Sequence, residues 1–159
     1  MATVEQAVQI ECGSSRDLDS VMQVMDRAFG RRFGEAWTRS QLAGILPMTG
    51  VSLMLARDPD DDATVGFSLH RTVADESELL LLAVMPTHHR RGVGRQLLDE
   101  YLHRARNDQV ARVHLEVRDG NPAATMYKIA GFSPVGRRRD YYHAVDGRRF
   151  DAITLALQL

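Results

Sequence analysis

Residues 78–106 read ELLLLAVMPTHHRRGVGRQLLDEYLHRAR, and this stretch decides the fold. Leu79 to Val84 is a continuous apolar run of the length expected for a strand buried on both faces, and Pro86 ends it. Further apolar residues recur with the spacing of one helix face, namely Val93, Leu97, Leu98, Tyr101, Leu102 and Ala105. The stretch therefore predicts a strand, a basic turn that contains glycine, and an amphipathic helix.

The glycine turn, residues 87–94, is a candidate phosphate site. Glycine has no Cβ to block an anion, and the first N–H groups of a helix form the positive end of its dipole. A turn that needs glycine for backbone freedom alone has the same spelling, so both interpretations stay open. A P-loop is excluded, because Arg95-Gln96 follows Gly94. A dinucleotide fingerprint lacks its third glycine, since Leu97 stands there, although Glu116 lies at the distance of its ribose-binding acid.

Length and composition favour a single domain over residues 1–159. A net charge of −1 leaves no global excess of positive charge for a nucleic-acid binder. Cys12 is alone, so no internal disulfide forms, and residues 1–11 lack the basic start of a signal peptide. No apolar run approaches the length of a membrane span. We expect a cytoplasmic protein without nucleic-acid or membrane partners; a monomer is favoured, although the sequence does not fix the oligomeric state.

The remaining elements follow from periodicity and turn residues. Before the deciding stretch, strands are predicted at Val8 to Glu11, Val51 to Arg57 and Thr64 to Thr72, and helices at Leu18 to Phe29 and Thr38 to Leu46. After it come a strand at Arg112 to Val117, a helix from Asn121-Pro122 to Gly131-Phe132, and a hairpin of Val135 to Tyr142 with Ala152 to Leu157. A strand, helix, strand unit joins parallel strands, so the expected fold is α/β of the α+β type with a mixed sheet.

The glycine turn resembles the acetyl-CoA diphosphate loop of the GNAT superfamily of N-acetyltransferases. In that family, Gln or Arg, two residues, Gly, any residue, and Gly or Ala follow a strand that ends in an apolar triplet. The corresponding residues here are Leu82-Ala83-Val84 and His89-Arg90-Arg91-Gly92-Val93-Gly94, with His89 in place of Gln or Arg. The resemblance implies a mostly antiparallel central sheet with helices on both faces and a parallel β-α-β crossover at the acetyl-CoA site.

Glu116 and Tyr127 are the candidate catalytic residues. Glu116 lies within an apolar strand, where a carboxylate must be paired, solvated or functional, and pairing with an arginine is the alternative to catalysis. Tyr127 alone is equally typical of a core aromatic. An amine must lose a proton before it attacks a thioester, and a carboxylate within reach is a suitable base. By the resemblance, Glu116 is the proton acceptor, and Tyr127, which three residues separate from Gly131-Phe132, is the proton donor for the CoA thiolate.

The second half of the chain is most similar to the RimI branch, whose members acetylate the N-terminal alanine of a small-subunit ribosomal protein. The shared residues are Leu115-Glu116-Val117-Arg118, Asn121, Tyr127, Gly131-Phe132, Gly136-Arg137-Arg138, Tyr141-Tyr142, Asp146-Gly147 and Asp151-Ala152. By the same resemblance the residues that bind acetyl-CoA are Leu82, Ala83, Val84, His89, Arg90, Arg91, Gly92, Val93, Gly94 and Asn121. The helix that carries Tyr127 is a departure, because Pro122 to Met126 is one residue shorter than the family's spacing.

The sequence thus predicts an acetyl-CoA-dependent N-acetyltransferase for a protein N-terminal amine, with a ribosomal protein as the candidate acceptor. Two alternatives stay open: a GNAT enzyme for a small-molecule amine, and a catalytically silent CoA-binding module. No metal is expected, because His88-His89 lacks the i, i+4 spacing of a zinc pair and no cysteine cluster accompanies it. Residues 137–139, three consecutive arginines, are interpreted as a solvated hairpin edge.

Overall fold

The computed structural model describes residues 7–159. Its strands are β1 (Gln9–Gly13), β2 (Val51–Arg57), β3 (Thr64–Val73), β4 (Glu76–Val84), β5 (Arg112–Arg118), β6 (Ser133–His143) and β7 (Arg149–Gln158). Its helices are α1 (Leu18–Phe29), α2 (Arg39–Ile45), α3 (Val93–Asn107) and α4 (Ala123–Ile129). The predicted order of elements is confirmed. The largest differences are that β4 and β7 each begin three residues earlier than predicted, at Glu76 and Arg149. β1 also runs on to Gly13, because that residue still pairs with Leu53.

The seven strands form one sheet in the order β1-β2-β3-β4-β5-β7-β6. β4 and β5 are parallel and are joined through α3, whereas every other neighbouring pair in the described sheet is antiparallel. A crossover connection is what parallel neighbours require, because a short hairpin cannot return the chain to the same end of the sheet. The mixed, mostly antiparallel sheet with its parallel crossover is therefore confirmed.

Helices cover both faces of the sheet, as predicted. On one face, Val21 and Met25 of α1 pack in a buried cluster with Phe67 and Leu69 of β3. On the other face, Leu97 of α3 belongs to a cluster with alternate residues of β2, which are Met54 and Ala56. Each large apolar side chain buried in this way stabilises the fold by about 1.5–3 kcal/mol. None of the helices within residues 7–159 is long and apolar enough to cross a membrane.

A β-bulge in β4 marks the point at which β4 and its parallel neighbour β5 separate. Leu69 pairs with Leu81 and His70 with Leu79, so Leu80 is the extra residue of the bulge. Before the bulge, Leu79 packs in the cluster that includes α3, and after it Leu81 packs in the cluster that includes α1. The pairing of β4 with β5 ends at Leu79 and Leu115. Beyond that point the two parallel strands separate and leave a gap.

The end of α4 has the predicted Schellman geometry, and it fixes the position of Tyr127. Gly131 has φ +107°, and its N–H donates to the Lys128 carbonyl at 3.0 Å. The Phe132 N–H donates to the Tyr127 carbonyl at 3.1 Å, and the two rings meet edge to face with centroids 5.8 Å apart. At the other end, α4 begins one residue later than predicted, with Pro122 and not Asn121 as its N-cap. The Asn121 side chain still accepts a hydrogen bond from the Ala123 N–H at 2.9 Å.

Candidate active site

Two cavities meet where β4 and β5 separate, and we call them the groove and the chamber. The groove has a volume of about 720 Å³ and runs along the turn before α3. That volume lies within the range of small-molecule sites. The chamber, of about 120 Å³, lies between residues 79–82 of β4 and residues 115–117 of β5. Both cavities are lined by Phe29, Glu35, Leu82, Asn121 and Ala123.

The groove brings together most of the residues predicted to bind acetyl-CoA. It is lined by Leu82, Ala83, Val84, His89, Arg90, Gly92, Val93, Gly94 and Asn121. Arg91 does not line it, although its charge lies close enough to Asp58 to help lower the pKa of that carboxyl. Arg32 and Arg95 line the groove and were not predicted. The groove is therefore rich in positive charge along one wall.

The start of α3 is open to an anion. Gly92 has φ +75°, a left-handed conformation that favours glycine, and an added Cβ would meet no atom within 4 Å. The requirement at Gly92 is thus conformational and not steric. No side chain caps the first turn of α3, so its N–H groups remain directed towards the groove. This geometry favours the phosphate interpretation of the turn.

Two histidines hold the turn in place. His89 Nε2 donates to the Val84 carbonyl at 3.0 Å, which ties the turn to the end of β4. A neutral ring that donates from Nε2 has no proton on Nδ1, so His89 donates to a phosphate from Nδ1 only when it is protonated. His88 Nε2 lies 2.7 Å from Asp58 Oδ2 in the loop between β2 and β3. The turn is therefore attached both to the end of β4 and to the loop between β2 and β3.

Glu116 faces the chamber with its side chain only 11% exposed. The Thr154 hydroxyl on β7 donates to Oε2 at 2.7 Å, and Arg138 Nε on β6 lies 3.1 Å from Oε1. Both interpretations of Glu116 therefore find support, because it has an arginine partner and it also lines the chamber. Residues 137–139 lie exposed on the edge strand β6, as interpreted from the sequence, and one of them, Arg138, is in addition paired to a chamber carboxylate.

Tyr127 also lines the chamber and is 6% exposed. Burial raises the pKa of its phenol above the ordinary value of about 10, and the negative charge of Glu35 raises it further. The hydroxyl therefore keeps its proton throughout the neutral range. Complete transfer of that proton to a thiolate, whose acid has a pKa near 8.5, is uphill. Tyr127 is suited to stabilise a leaving thiolate chiefly by donating a hydrogen bond to it.

Glu35, in the loop between α1 and α2, is a site residue that sequence reasoning missed. Its carboxylate accepts from Arg118 Nε at 3.2 Å and from Asn121 Nδ2 at 3.0 Å. The Arg118 guanidinium lies 3.6 Å from the centroid of the Phe33 ring, and Arg118 is 8% exposed. This cluster fixes the loop above the junction of groove and chamber. The one available signal was Arg118 in the shared motif of β5, since a buried arginine needs an acidic partner.

The backbone of β4 beyond Leu79 is available on the side that faces β5. Residues 81–84 keep their antiparallel partners in β3, with Leu80 left over in the bulge, but the register with β5 does not extend past Leu79. Backbone polar groups on that side are free to bind an extended ligand or to polarise a carbonyl. A metal has no evident place among the described residues, since residues 7–159 contain no group of three or more His, Cys, Asp or Glu side chains arranged to hold one. The absence of a metal site stays a prediction.

Residues 20–144 match the family described as the acetyltransferase (GNAT) domain. The chain belongs to the GNAT acetyltransferase family. This GNAT enzyme is 33% identical over 147 residues to a [ribosomal protein bS18]-alanine N-acetyltransferase from Salmonella typhimurium, a match that covers 92% of the chain and 94% of the relative. It is 40% identical over 94 residues to the protein of the same name from Escherichia coli K12, which covers 58% of the chain and 63% of the relative.

A solved structure leads to the same family. The crystal structure of the ribosomal-protein-S18-alanine N-acetyltransferase from Escherichia coli superposes with a TM-score of 0.84 at 30% identity and covers 95% of this chain and 93% of that one. The predicted GNAT fold and the resemblance to the RimI branch are confirmed. The GNAT enzyme is an acetyl-CoA-dependent N-acetyltransferase, as the sequence predicted.

Proposed function

We propose that this enzyme acetylates the N-terminal amine of a protein, and that its acceptor is a ribosomal protein that begins with alanine. The observation that carries the proposal is the junction of the two cavities. A carboxylate and a protonated phenol, Glu116 and Tyr127, face one chamber, and that chamber opens into a groove with a bare helix N-terminus. The names of the Salmonella and Escherichia relatives support the choice of acceptor.

The groove residues fit the donor that the family uses. The first-turn N–H groups of α3 with Arg90 and Arg95 would hold a diphosphate, which calls for several donors and positive charge at one point. The free edge of residues 82–84 in β4 would bind the extended amide arm of acetyl-CoA as a neighbouring strand does. Acetyl-CoA supplies the activated acetyl group as a thioester, and every other group in the proposed reaction belongs to the chain or to the acceptor.

Glu116 would take the proton from the acceptor amine. An N-terminal amine has a pKa of about 7.7–8.0, whereas a lysine side chain has one near 10.4, so the N-terminal amine needs far less help from a base. The hydrogen bond from Thr154 holds the Glu116 carboxylate in one orientation. Backbone N–H groups on the open side of β4 would polarise the acetyl carbonyl, and Tyr127 would donate its hydrogen bond to the departing sulfur.

The size of the chamber supports a small first residue on the acceptor. Its volume is about 120 Å³, and aromatic rings from three parts of the chain form its walls, namely Phe29, Trp37, Tyr141 and Tyr142. A residue with a short side chain leaves space beside its amine for the approach to Glu116. A large side chain would have to displace these rings, and overpacking a filled site costs about 1–3 kcal/mol.

Two variants test the catalytic assignment. We expect Glu116→Gln to lower turnover by about 10²–10⁴-fold, because it removes the proton acceptor. We expect Tyr127→Phe to lower it by about tenfold to 100-fold, because it removes the hydrogen bond to the departing sulfur. The assay is thiol release with a peptide that begins with alanine, and calorimetric CoA binding checks that the groove is intact. Glu76→Gln, an exposed position on β4, is the matched control. Parental turnover in both site variants would remove Glu116 and Tyr127 from the mechanism.

The acceptor class needs a separate experiment. Intact-mass acetylation of a peptide library that varies the first residues, run beside a panel of amino sugars and polyamines, separates a protein acceptor from a small-molecule acceptor. We expect peptides with a small first residue to be acetylated fastest. Tight CoA binding without acetylation of any amine would favour a catalytically silent module, and thermal stabilisation by NAD instead of CoA would favour a dinucleotide site.

A further inference from the structure

Arg138 contacts the proposed catalytic base, Glu116, and is itself largely exposed to solvent. It lies on β6, the last strand at one edge of the sheet, and its Nε is 3.1 Å from Glu116 Oε1. Its guanidinium carbon also lies 5.4 Å from the centroid of the Tyr141 ring, within the range of a cation–π contact. A fixed positive charge thus stands at the carboxylate that the acceptor amine must reach.

The chamber has two further carboxylates, and their cations are held differently. Glu35 is paired with Arg118, whose side chain is 9% exposed. Glu78 lies 3.7 Å from His114, which is charged only when protonated. The Arg138 side chain is 61% exposed, although the Glu116 carboxylate beneath it is almost covered. Arg138 is therefore the permanent cation that separates from its carboxylate at the lowest cost, because exposed ion pairs contribute little to stability.

Below the pKa of an N-terminal amine, the acceptor arrives as an ammonium ion. Such an ion competes with the Arg138 guanidinium for Glu116 Oε1, because Oε2 already accepts from Thr154, and two positive charges at one carboxylate oxygen repel each other. The Tyr141 ring, which also lines the chamber, offers Arg138 a second contact that does not depend on Glu116, so the guanidinium can leave Glu116 without becoming fully solvated.

We propose that Arg138 holds the place of the acceptor ammonium in the free enzyme and is displaced by it, so that Arg138 sets the affinity for charged amines. The proposal rests on the proposed role of Glu116 as the proton acceptor. Arg138 is in this sense a specificity residue, because it weakens the binding of every cation that does not also fill the rest of the chamber. The acceptor's proton still passes to Glu116, and Arg138 takes part in no bond that forms or breaks.

Two neighbouring arginines allow a matched test. Arg138→Gln removes the charge at Glu116, whereas Arg139→Gln removes the same charge from the adjacent exposed position, where it acts on Asp151. The KM and kcat for a peptide that begins with alanine are measured at saturating acetyl-CoA, at pH 6.5 and pH 9.0. Equilibrium binding of the same peptide to CoA-saturated protein is measured by calorimetry under both conditions.

At pH 6.5 we expect Arg138→Gln to lower KM and the peptide Kd by about threefold to fivefold, the range for one exposed ion pair. At pH 9.0 the N-terminal amine, with a pKa of about 7.7–8.0, is neutral and has no cation to displace, so the difference should shrink towards zero. The KM and the peptide Kd of Arg139→Gln should match those of the parent at both pH values. A purely structural role for Arg138 would change kcat without this dependence on pH.

An unchanged or raised peptide Kd in Arg138→Gln at pH 6.5, or an equal change at both pH values, overturns the proposal. These binding results do not require turnover. If the parent protein transfers no acetyl group to the peptide, or if Glu116→Gln is as active as the parent, the proposed function fails. The calorimetric comparison of Arg138→Gln with Arg139→Gln then still decides whether Arg138 competes with an ammonium ion.

Discussion

At the scale of single residues, the chamber contains two nearly buried carboxylates with different partners. Glu35 has both oxygens occupied by hydrogen bonds, one from Arg118 and one from Asn121. Glu116 accepts one hydrogen bond from Thr154 and otherwise faces an exposed arginine. Glu35 is thus suited to hold the loop between α1 and α2, because its two partners tie it to β5 and to the segment that follows β5. The arginine partner of Glu116 is exposed, so that partner is the one more easily displaced.

Glu35→Gln is expected to destabilise the fold by about 3 kcal/mol, because it leaves the buried Arg118 charge without a counter-ion. Unfolding in urea, followed by fluorescence, measures the change. Asp19→Asn is the matched control, since it removes a carboxylate from the exposed pair with Arg39 and should leave stability unchanged. If the two variants are equally stable, the Glu35 cluster does not hold the loop between α1 and α2.

At the scale of elements, the turn before α3 is positioned by a loop from another part of the sheet. Asp58, which follows β2, is bonded to His88, and it also accepts from the Asp60 N–H at 2.8 Å. The hydrogen bond to His88 is the main reason that the pKa of the Asp58 carboxyl lies below its usual value. The β2–β3 loop, the turn and the start of α3 are therefore connected through one carboxylate.

Asp58→Asn should raise the KM for acetyl-CoA by about fivefold to 20-fold with little change in kcat, because it weakens one charge-assisted hydrogen bond that fixes the turn. Asparagine keeps an oxygen for the Asp60 N–H, so the loop itself is preserved. Asp60→Asn, an exposed position in the same loop, is the control for the lost charge. The KM of both variants is measured by steady-state kinetics with varied acetyl-CoA. An equal KM in the two would show that the hydrogen bond between Asp58 and His88 does not position the turn.

At the scale of the whole molecule, the features that follow from hydrophobic periodicity were predicted correctly. The features that depend on contacts between distant strands and loops were not. The apolar run of residues 79–84 and the helix face from Val93 were sufficient for the crossover and its turn. The bulge at Leu80 could not be predicted from the sequence. The run is apolar at every position, so it has no alternation of apolar and polar residues that a bulge would interrupt. Glu35 lies in a loop without periodicity, and the partner of Arg138 is set by the register of β6, β7 and β5, which no local pattern contains.

His70 on β3 links this architecture to the pH dependence of stability. It is 8% exposed, its ring lies 4.6 Å from that of Tyr101 on α3, and its buried Nδ1 has no hydrogen-bond partner. Burial is the main reason that its pKa falls from 6.5 to about 4, and the positive charge of Arg104 lowers it further. The unfolded chain therefore binds a proton at His70 below pH 6.5 while the folded chain does not.

Because the unfolded state binds more protons between pH 6.5 and 4, the contribution of neutral His70 is complete above pH 6.5 and is lost as the pH falls, by up to about 3 kcal/mol at pH 4. His70→Phe keeps a ring against Tyr101 and cannot be protonated, so it should lose less stability than the parent between pH 7 and pH 4.5. His103→Gln, at an exposed position on α3, should follow the parent. Urea unfolding at both pH values gives the comparison, and a parental pH dependence in His70→Phe would mean that other groups cause the acid sensitivity.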